Sequence, residues 1–103
     1  MRFLLLFALA ASACSRGDQQ KCEAACRNFG TLVFWQKMDA EIALLPASQR
    51  VDARKKALGK FDNQLEQGVD DCTTQCQSAN NTEQTDCMIA AKTGDQASLC
   101  LKK

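Results

Sequence analysis

The chain has 103 residues, which is enough for one domain, and its formal net charge is +1. This near-neutral balance gives no support to nucleic-acid binding, which is usually associated with a strongly basic domain. Because the sequence contains no histidine and no tyrosine, and its five glycines are scattered, we expect a protein that is not an enzyme and has no cofactor.

The first residues have the order of a secretory signal peptide. A positive charge at Arg2 is followed by an apolar run over residues 3–11. That run is shorter than the roughly 20 residues needed to cross a bilayer. Small residues follow at positions 11–13, as they do before a cleavage site. We therefore predict that residues 1–13 are a signal peptide that is removed on export.

Residues 11–14, Ala-Ser-Ala-Cys, resemble the lipobox of bacterial lipoproteins, although Ala11 stands where that family usually has leucine. The resemblance implies that Cys14 becomes the N-terminus, carries diacylglycerol on its sulfur and anchors the protein in a membrane of the bacterial cell envelope. Residues 14–20 would then form a lipid-anchored tether. In the family, aspartate after the cysteine often marks inner-membrane retention, so Ser15 implies the outer membrane, facing the periplasm or the exterior. Cleavage by ordinary signal peptidase, which reads the same small residues, is the alternative.

The cysteine count supports the lipobox independently. Seven cysteines in an exported chain leave one unpaired, and a free thiol in an oxidising compartment needs an explanation. If Cys14 carries lipid, an even set is left: Cys22, Cys26, Cys72, Cys76, Cys87 and Cys100. We expect these six cysteines to form three disulfides.

Two C-x-x-x-C segments, CEAAC and CTTQC, indicate how four of these cysteines pair. Cysteines four positions apart lie on one face of a helix, so two such helices packed antiparallel bring four sulfur atoms together. Facing residues in an antiparallel pair have a constant sum of residue numbers. The pairs Cys22–Cys76 and Cys26–Cys72 both give 98. The alternative, Cys22–Cys72 with Cys26–Cys76, gives two different sums and needs steeply crossed helices.

A turn near residues 46–49 is predicted from the stretch LLPASQR, without reference to the cysteines. Pro46 disfavours helical geometry at Leu45 and has no N–H to donate. Ser48 is the predicted N-cap of the helix that follows. Because the pairing sum puts the turn in the same place, we predict a helical hairpin over residues 21–79.

The apolar pattern predicts which residues lie between the two helices. In the second helix, four residues recur every seven positions: Val51, Leu58, Leu65 and Cys72. Three further residues of this helix join the same pattern: Phe61 and Gly68, each three positions after one of the four, and Val69. The constant sum places Ala40 of the first helix opposite Leu58. In this register, Phe34 and Trp35 point away from the contact between the two helices, so other residues must bury them.

The last part of the chain, residues 80–103, is predicted to form a smaller helical hairpin. Asn81 and Gln84 make a capping pair for a helix through Lys92. Gly94 is predicted to end that helix.

A final short helix is predicted from Asp95, as its cap, to Leu101. Cys87 and Cys100 are the two cysteines left, so we predict that they pair. The apolar residues of this tail are expected to cover the aromatic pair of the first helix; they are Met88, Ile89, Leu99 and Leu101.

Together these elements predict an all-α fold: a long antiparallel helical hairpin stapled by two disulfides, with a short disulfide-bridged C-terminal helical hairpin. The twin C-x-x-x-C helices resemble the α-hairpinin scaffold of small disulfide-rich peptides, although the arms are much longer here. That resemblance concerns architecture and implies no shared function, because one fold supports many functions.

A basic cluster is the candidate interaction surface of the hairpin. It lies at the predicted tip and the start of the second helix and consists of Arg50, Arg54, Lys55, Lys56 and Lys60. Such a surface suits an anionic cell-wall polymer or another envelope protein. The alternative is a solvated helix face, because Asp52 and Asp62 interleave with the basic residues.

The sequence leaves three classes of function open. The first is a structural or protein-interaction role in the envelope, without enzymatic activity. The second is a periplasmic metal- or thiol-handling module, because four thiolates from two C-x-x-x-C helices suit Zn²⁺ or Cu⁺. Oxidation after export opposes this second role, so we predict disulfides and no metal. The third is a secreted inhibitor or toxin-like peptide that is cleaved without lipidation.

Overall fold

A computed structural model describes residues 17–103 of the protein and contains four α-helices and no strand within that range. The helices are α1 (Gln19–Ala43), α2 (Ala47–Ala79), α3 (Thr82–Ala90) and α4 (Gly94–Cys100). Helices α1 and α2 pack as a long antiparallel hairpin, and α3 and α4 form a short hairpin that packs on α1. The predicted all-α fold is confirmed. The predicted signal peptide and Cys14 lie outside the described residues.

Three disulfides join the helices as the sequence predicts. Two of them link α1 to α2, and the third links α3 to α4. Their Cα–Cα distances are 5.7 Å for Cys22–Cys76, 5.9 Å for Cys26–Cys72 and 5.6 Å for Cys87–Cys100. The first two confirm the antiparallel register. Below, the closed end of the hairpin is the end that carries these two disulfides, and the tip is the opposite end, around residues 44–46.

Helix α1 begins after Asp18, which acts as its N-cap. The Asp18 carboxylate accepts hydrogen bonds from the backbone N–H groups of Gln20 at 2.9 Å and Lys21 at 3.2 Å. These N–H groups have no carbonyl partner within the helix. Because the N–H of Cys22 donates to the Asp18 carbonyl at 2.9 Å, the cap also positions the first cysteine of the hairpin.

The turn between α1 and α2 occupies residues 44–46, at the early edge of the predicted region. Pro46 has an extended backbone (φ −57°, ψ 147°) and immediately precedes α2. The N–H of Gln49 donates to the Pro46 carbonyl at 2.9 Å. The prediction that Ser48 is the N-cap is therefore wrong, because this residue lies inside the first turn. Proline has a fixed φ and no N–H, which suits the start of a helix.

Helix α3 begins as predicted and ends earlier. The side chain of Asn81 accepts a hydrogen bond from the N–H of Gln84 at 3.0 Å, which confirms this capping pair. The helix ends at Ala90 rather than at Lys92, because Ala91 has an extended backbone (φ −60°, ψ 140°).

Helix α4 begins two residues earlier than predicted. Its N-cap is Thr93, whose hydroxyl accepts a hydrogen bond from the N–H of Gln96 at 3.1 Å. Asp95, the predicted cap, lies in the first turn. Gly94 is the first residue of α4 and is buried, since a Cβ at this position would collide with Gln36 of α1. Glycine therefore permits the close packing of α4 on α1 rather than ending α3.

The buried core lies at the closed end, where α1, α2 and the short hairpin meet. Its members are Ala25, Cys26, Val69, Met88 and Cys100. The half-buried Phe29 and Leu65 pack against this core. Towards the tip only α1 and α2 are left to cover each other, so the interior there is narrow.

The predicted seven-residue apolar repeat is wrong towards the tip. Val51 and Leu58 are 66% and 53% exposed, and Ala40, which was predicted to face Leu58, is exposed as well. A stripe with a period of seven drifts by about 20° per heptad around a straight helix of 3.6 residues per turn. The predicted positions Phe61, Leu65, Val69 and Cys72 are buried or half-buried, and towards the tip the stripe continues in steps of four through Ala57 and Ala53.

The aromatic residues of α1 pack against α2, not under the C-terminal tail as predicted. The Phe34 and Trp35 rings lie 5.0 and 5.5 Å from the Phe61 ring, between centroids. Among the four tail residues predicted to cover them, Met88 is buried in the closed-end core. The other three are exposed: Ile89, Leu99 and Leu101. Phe61 of α2 is therefore the aromatic partner of this pair.

Candidate functional site

The described chain starts at the closed end of the hairpin. The N–H of Gly17 donates to the carbonyl of Gln77 in α2 at 3.1 Å. A Cβ on Gly17 would lie 3.3 Å from the Cα of Gln77, so glycine allows this close approach. In sequence, the predicted lipidation residue Cys14 comes three positions before Gly17. The start of the described chain is therefore about 50 Å from the tip, because α2 has 33 residues and rises by about 1.5 Å per residue.

Arg50, from the predicted basic cluster, has a structural role at the tip. Its Nε donates to the Leu45 carbonyl at 3.0 Å, and its Nη2 donates to the Ala43 carbonyl at 3.2 Å. Carbonyls at the end of a helix lack a helical N–H partner, and a cation near them is stabilising. Arg50 therefore holds the turn between α1 and α2.

Arg54, also from the basic cluster, joins α2 to α1. Its guanidinium lies over the Trp35 ring, 4.9 Å from the centroid, and its Nη1 donates to Asp39 Oδ1 at 2.9 Å. About half of each charged side chain is exposed, which limits the contribution of the ion pair. Arg54 is thus engaged within the molecule.

The three lysines of the basic cluster differ from the two arginines. Lys55, Lys56 and Lys60 are exposed, and none of them forms an ion pair with another residue of the 17–103 segment. The structure therefore brings only part of the predicted cluster to solvent as unpaired charge. These lysines are accompanied by exposed apolar residues, of which Leu44 is 87% exposed.

A continuous groove runs along one face of the hairpin. It consists of an inner cavity of about 500 Å³ next to the closed end and an outer cavity of about 400 Å³ towards the tip. Phe34 and Gln64 line both cavities, which therefore adjoin. Met88 and Leu101 of the short hairpin complete the wall of the inner cavity.

The two parts of the groove differ in charge. No charged side chain lines the inner cavity. The outer cavity has an apolar floor that includes Met38 and Ile42, and it has Lys56, Lys60 and Glu41 at its sides. Sequence analysis missed this groove, because its existence depends on how far apart the two helices lie.

A half-exposed ion-pair network crosses the hairpin near the core. Arg27 of α1 donates from Nη1 and Nη2 to the two carboxylate oxygens of Glu66 in α2, at 2.6 and 3.1 Å. It also donates to Glu23, one turn earlier in α1, at 3.1 and 3.3 Å. These hydrogen bonds raise the pKa of the Arg27 guanidinium and lower the pKa of the Glu66 carboxyl. The i, i+4 spacing of Glu23 and Arg27 was visible in the sequence, whereas the partner on α2 was not.

Asn28 is a second residue that sequence analysis missed. Its amide nitrogen lies within hydrogen-bond distance of three carbonyls at the end of α3: Met88 at 2.7 Å, Ala91 at 3.0 Å and Ile89 at 3.3 Å. The end of a helix leaves such carbonyls without partners. Asn28 therefore fixes the short hairpin to α1, and no local sequence signal identifies it.

Two further properties bear on function. Within residues 17–103, no group of three or more histidine, cysteine or acidic side chains is arranged to hold a metal ion. The four hairpin cysteines are present as disulfides, so a thiolate metal site would require their reduction first. None of the described helices is both long and apolar enough to cross a membrane.

Comparison of the chain with protein-family models, curated proteins and solved structures finds no match.

Proposed function

We propose that this chain is a small cysteine-rich lipoprotein of the bacterial envelope, anchored through a diacylglycerol on Cys14. Its role in this proposal is structural or protein-binding, without enzymatic activity. The residue after the lipidated cysteine, Ser15, favours the outer membrane in the lipoprotein family. A single acyl chain gives marginal membrane binding, whereas two or three chains give stable anchoring.

One observation carries this proposal. All six cysteines in the described part of the chain pair with one another, which leaves Cys14 as the single cysteine outside these pairs. Exported proteins rarely keep a free thiol without a use for it. Attachment of lipid to Cys14 explains both the odd count and the small residues that precede it.

The shape of the hairpin supports a spacer role. The described chain starts at the closed end, next to the Gln77 carbonyl, so an anchor at Cys14 would hold the closed end nearer to the membrane. The tip would then extend by about the 50 Å length of α2. The exposed lysines in the half of α2 nearer the tip suit an envelope protein or an anionic cell-wall polymer as partner.

The test is the intact mass of the protein purified from its native membranes, with and without reduction, followed by thiol alkylation. We expect a chain that starts at Cys14, with added acyl mass and six cysteines that become alkylated only after reduction. The matched control is Cys14→Ser, which should be released from the membrane with all three disulfides present. A mature chain without acyl mass would contradict lipid anchoring.

The same measurement separates the alternatives. A secreted inhibitor or toxin-like peptide predicts an unlipidated chain whose Cys14 is alkylated without reduction or is cross-linked to another chain. A metal- or thiol-handling module predicts four alkylated cysteines without reduction. The second alternative requires that the disulfides of α1 and α2 are open in the cell.

A further inference from the structure

The groove along the hairpin has the size of a ligand site. Its inner and outer cavities, about 500 and 400 Å³, each fall within the range of roughly 300–1,000 Å³ found for small-molecule sites. The contact between the Phe34 and Phe61 rings, 5.0 Å apart, lies where the two cavities adjoin and holds the helices together there. The groove is therefore formed before any ligand enters.

The inner cavity suits an alkyl chain. Its lining contains no charged side chain, so a charged group placed there would lose its hydration without gaining a partner. Gly68 lines this cavity, and a Cβ on it would have no neighbour within 4 Å. The missing side chain thus leaves open space beside Leu65 and Val69, which an apolar ligand can fill.

The outer cavity suits an anionic head group. Lys56 and Lys60 are one helical turn apart, so they lie on the same side of α2. Glu41 is the single acidic residue that lines this cavity, which leaves a positive balance of charge. Met38 on the floor is flexible and polarisable, and it can adapt to different ligand shapes.

From these two halves we infer that the groove binds a free single-chain amphiphile with an anionic head group, such as a fatty acid. The alkyl chain lies in the inner cavity, and the carboxylate lies between Lys56 and Lys60. This inference does not depend on lipidation of Cys14, because every residue that carries it belongs to the hairpin or to the tail next to it.

Isothermal titration with dodecanoate, below its micelle-forming concentration, tests the inference. The protein is the exported, disulfide-bonded Cys14→Ser variant, which excludes the protein's own lipid as a competing acyl chain. Dodecyltrimethylammonium, which has the same chain and the opposite head-group charge, is the matched probe. Phe61 lines the inner cavity, and the ring of Trp35, the single tryptophan, lies 5.5 Å from the Phe61 ring. The fluorescence of Trp35 therefore gives an independent signal of binding.

Two pairs of variants separate the two halves of the site. Gly68→Leu fills the inner cavity, and Gly59→Leu is its control, because Gly59 is exposed on the same helix, also has open space around it and lies outside the groove. The double variant Lys56→Gln with Lys60→Gln removes the two positive side-chain charges that face the anionic head group of the ligand. Lys55→Gln is the control, since Lys55 is exposed and does not line the groove.

We expect dodecanoate to bind more tightly than dodecyltrimethylammonium. Gly68→Leu should weaken dodecanoate binding about tenfold or more, because several methylene groups lose their apolar contact. The double lysine variant should weaken it several-fold and remove the preference for the anion, while both control variants bind as the parent protein does. Equal binding of the two probes, or an unchanged affinity in Gly68→Leu, would overturn the inference. A dimer that Gly68→Leu dissociates would also overturn it, because a second copy would then occupy the groove.

Discussion

The closed end and the tip of the hairpin are built from the same two helices but are held together in different ways. At the closed end, Ala25, Cys26 and Val69 are at most 3% exposed, and two disulfides cross between α1 and α2. At the tip, Leu44 is 87% exposed and Val51 is 66% exposed, and contacts there are made by half-exposed side chains such as Arg54.

The difference follows from the number of layers. A pair of helices buries only the stripe along which they touch, whereas a third element covers a second face. The short hairpin supplies that third layer from the closed end as far as Gln36 of α1, which packs against Gly94 and donates to Asp95 at 2.8 Å. We therefore expect the closed end to unfold as one cooperative unit and the tip to open locally at a lower free energy.

The largest effect is expected from reduction of the disulfides. Each disulfide typically contributes about 2–4 kcal/mol, so three together exceed the total stability of roughly 5 kcal/mol found at the lower end of the range for folded proteins. The reduced protein should lose its cooperative thermal transition, as followed by far-ultraviolet circular dichroism.

A control for reduction is the variant Cys87→Ala with Cys100→Ala, which leaves the disulfides of the long hairpin intact. This variant should retain a cooperative transition at a lower temperature. A fully reduced protein that melts within a few degrees of the oxidised form would contradict the view that the closed end depends on its disulfides.

Asn28→Ala is expected to have the next largest effect, because it removes the side-chain hydrogen bonds that attach the short hairpin of α3 and α4 to α1. Removing the amide leaves the Met88 and Ala91 carbonyls, whose hydrogen bonds to Asn28 are partly buried, without this donor. The cost is about 1–3 kcal/mol in the free energy of unfolding. Denaturant unfolding measures this loss. Asn63→Ala, at an exposed position of α2, is the control and should change stability little. If both variants unfolded alike, the proposed attachment by Asn28 would be wrong.

A smaller and opposite effect is expected from Gly59→Ala, midway between the turn at Pro46 and Cys72. Gly59 is exposed within α2, and a Cβ there would meet nothing within 4 Å. Alanine should therefore stabilise the helix by about 0.5–1 kcal/mol. Backbone amides around residue 59 should then exchange their hydrogens more slowly than in the parent protein. Gly68→Ala, at a similarly open position nearer the core, is the comparison, and its slowing should centre there instead. Equal effects at both ends would argue against separate local opening of the tip.

The smallest effect concerns the pH dependence of Glu66→Gln. Hydrogen bonds from Arg27 lower the pKa of the Glu66 carboxyl in the folded protein, so the ionised form stabilises the fold above the unfolded-state pKa of about 4.3. That contribution should disappear as the pH falls through the lower pKa of the folded state. Urea unfolding at pH values from neutral to below 4 should show a flatter pH profile for the variant. Glu41→Gln, outside this network, should keep the parent slope; a parent-like slope in Glu66→Gln would refute the prediction.

Local rules were sufficient for much of the fold. The cap at Asn81 and the turn near Pro46 depend on residues close in sequence, and both are present. Where two local signals compete, the prediction failed. Thr93 precedes Asp95 and caps α4 first, and Pro46 starts α2 before Ser48 can act as a cap.

The spacing of four cysteines was enough to predict the two hairpin disulfides and the antiparallel register: Cys22, Cys26, Cys72 and Cys76. Two i, i+4 pairs on antiparallel helices face each other in one register without steep crossing. Only the tertiary structure decided which side chains are buried towards the tip, since helical drift moves a seven-residue repeat off the contact. It also decided that Arg50 and Arg54 hold the hairpin together while Lys56 and Lys60 flank a groove. Apart from the turn contacts of Arg50, these assignments depend on how residues of two different helices face each other, which spacing along one helix does not contain.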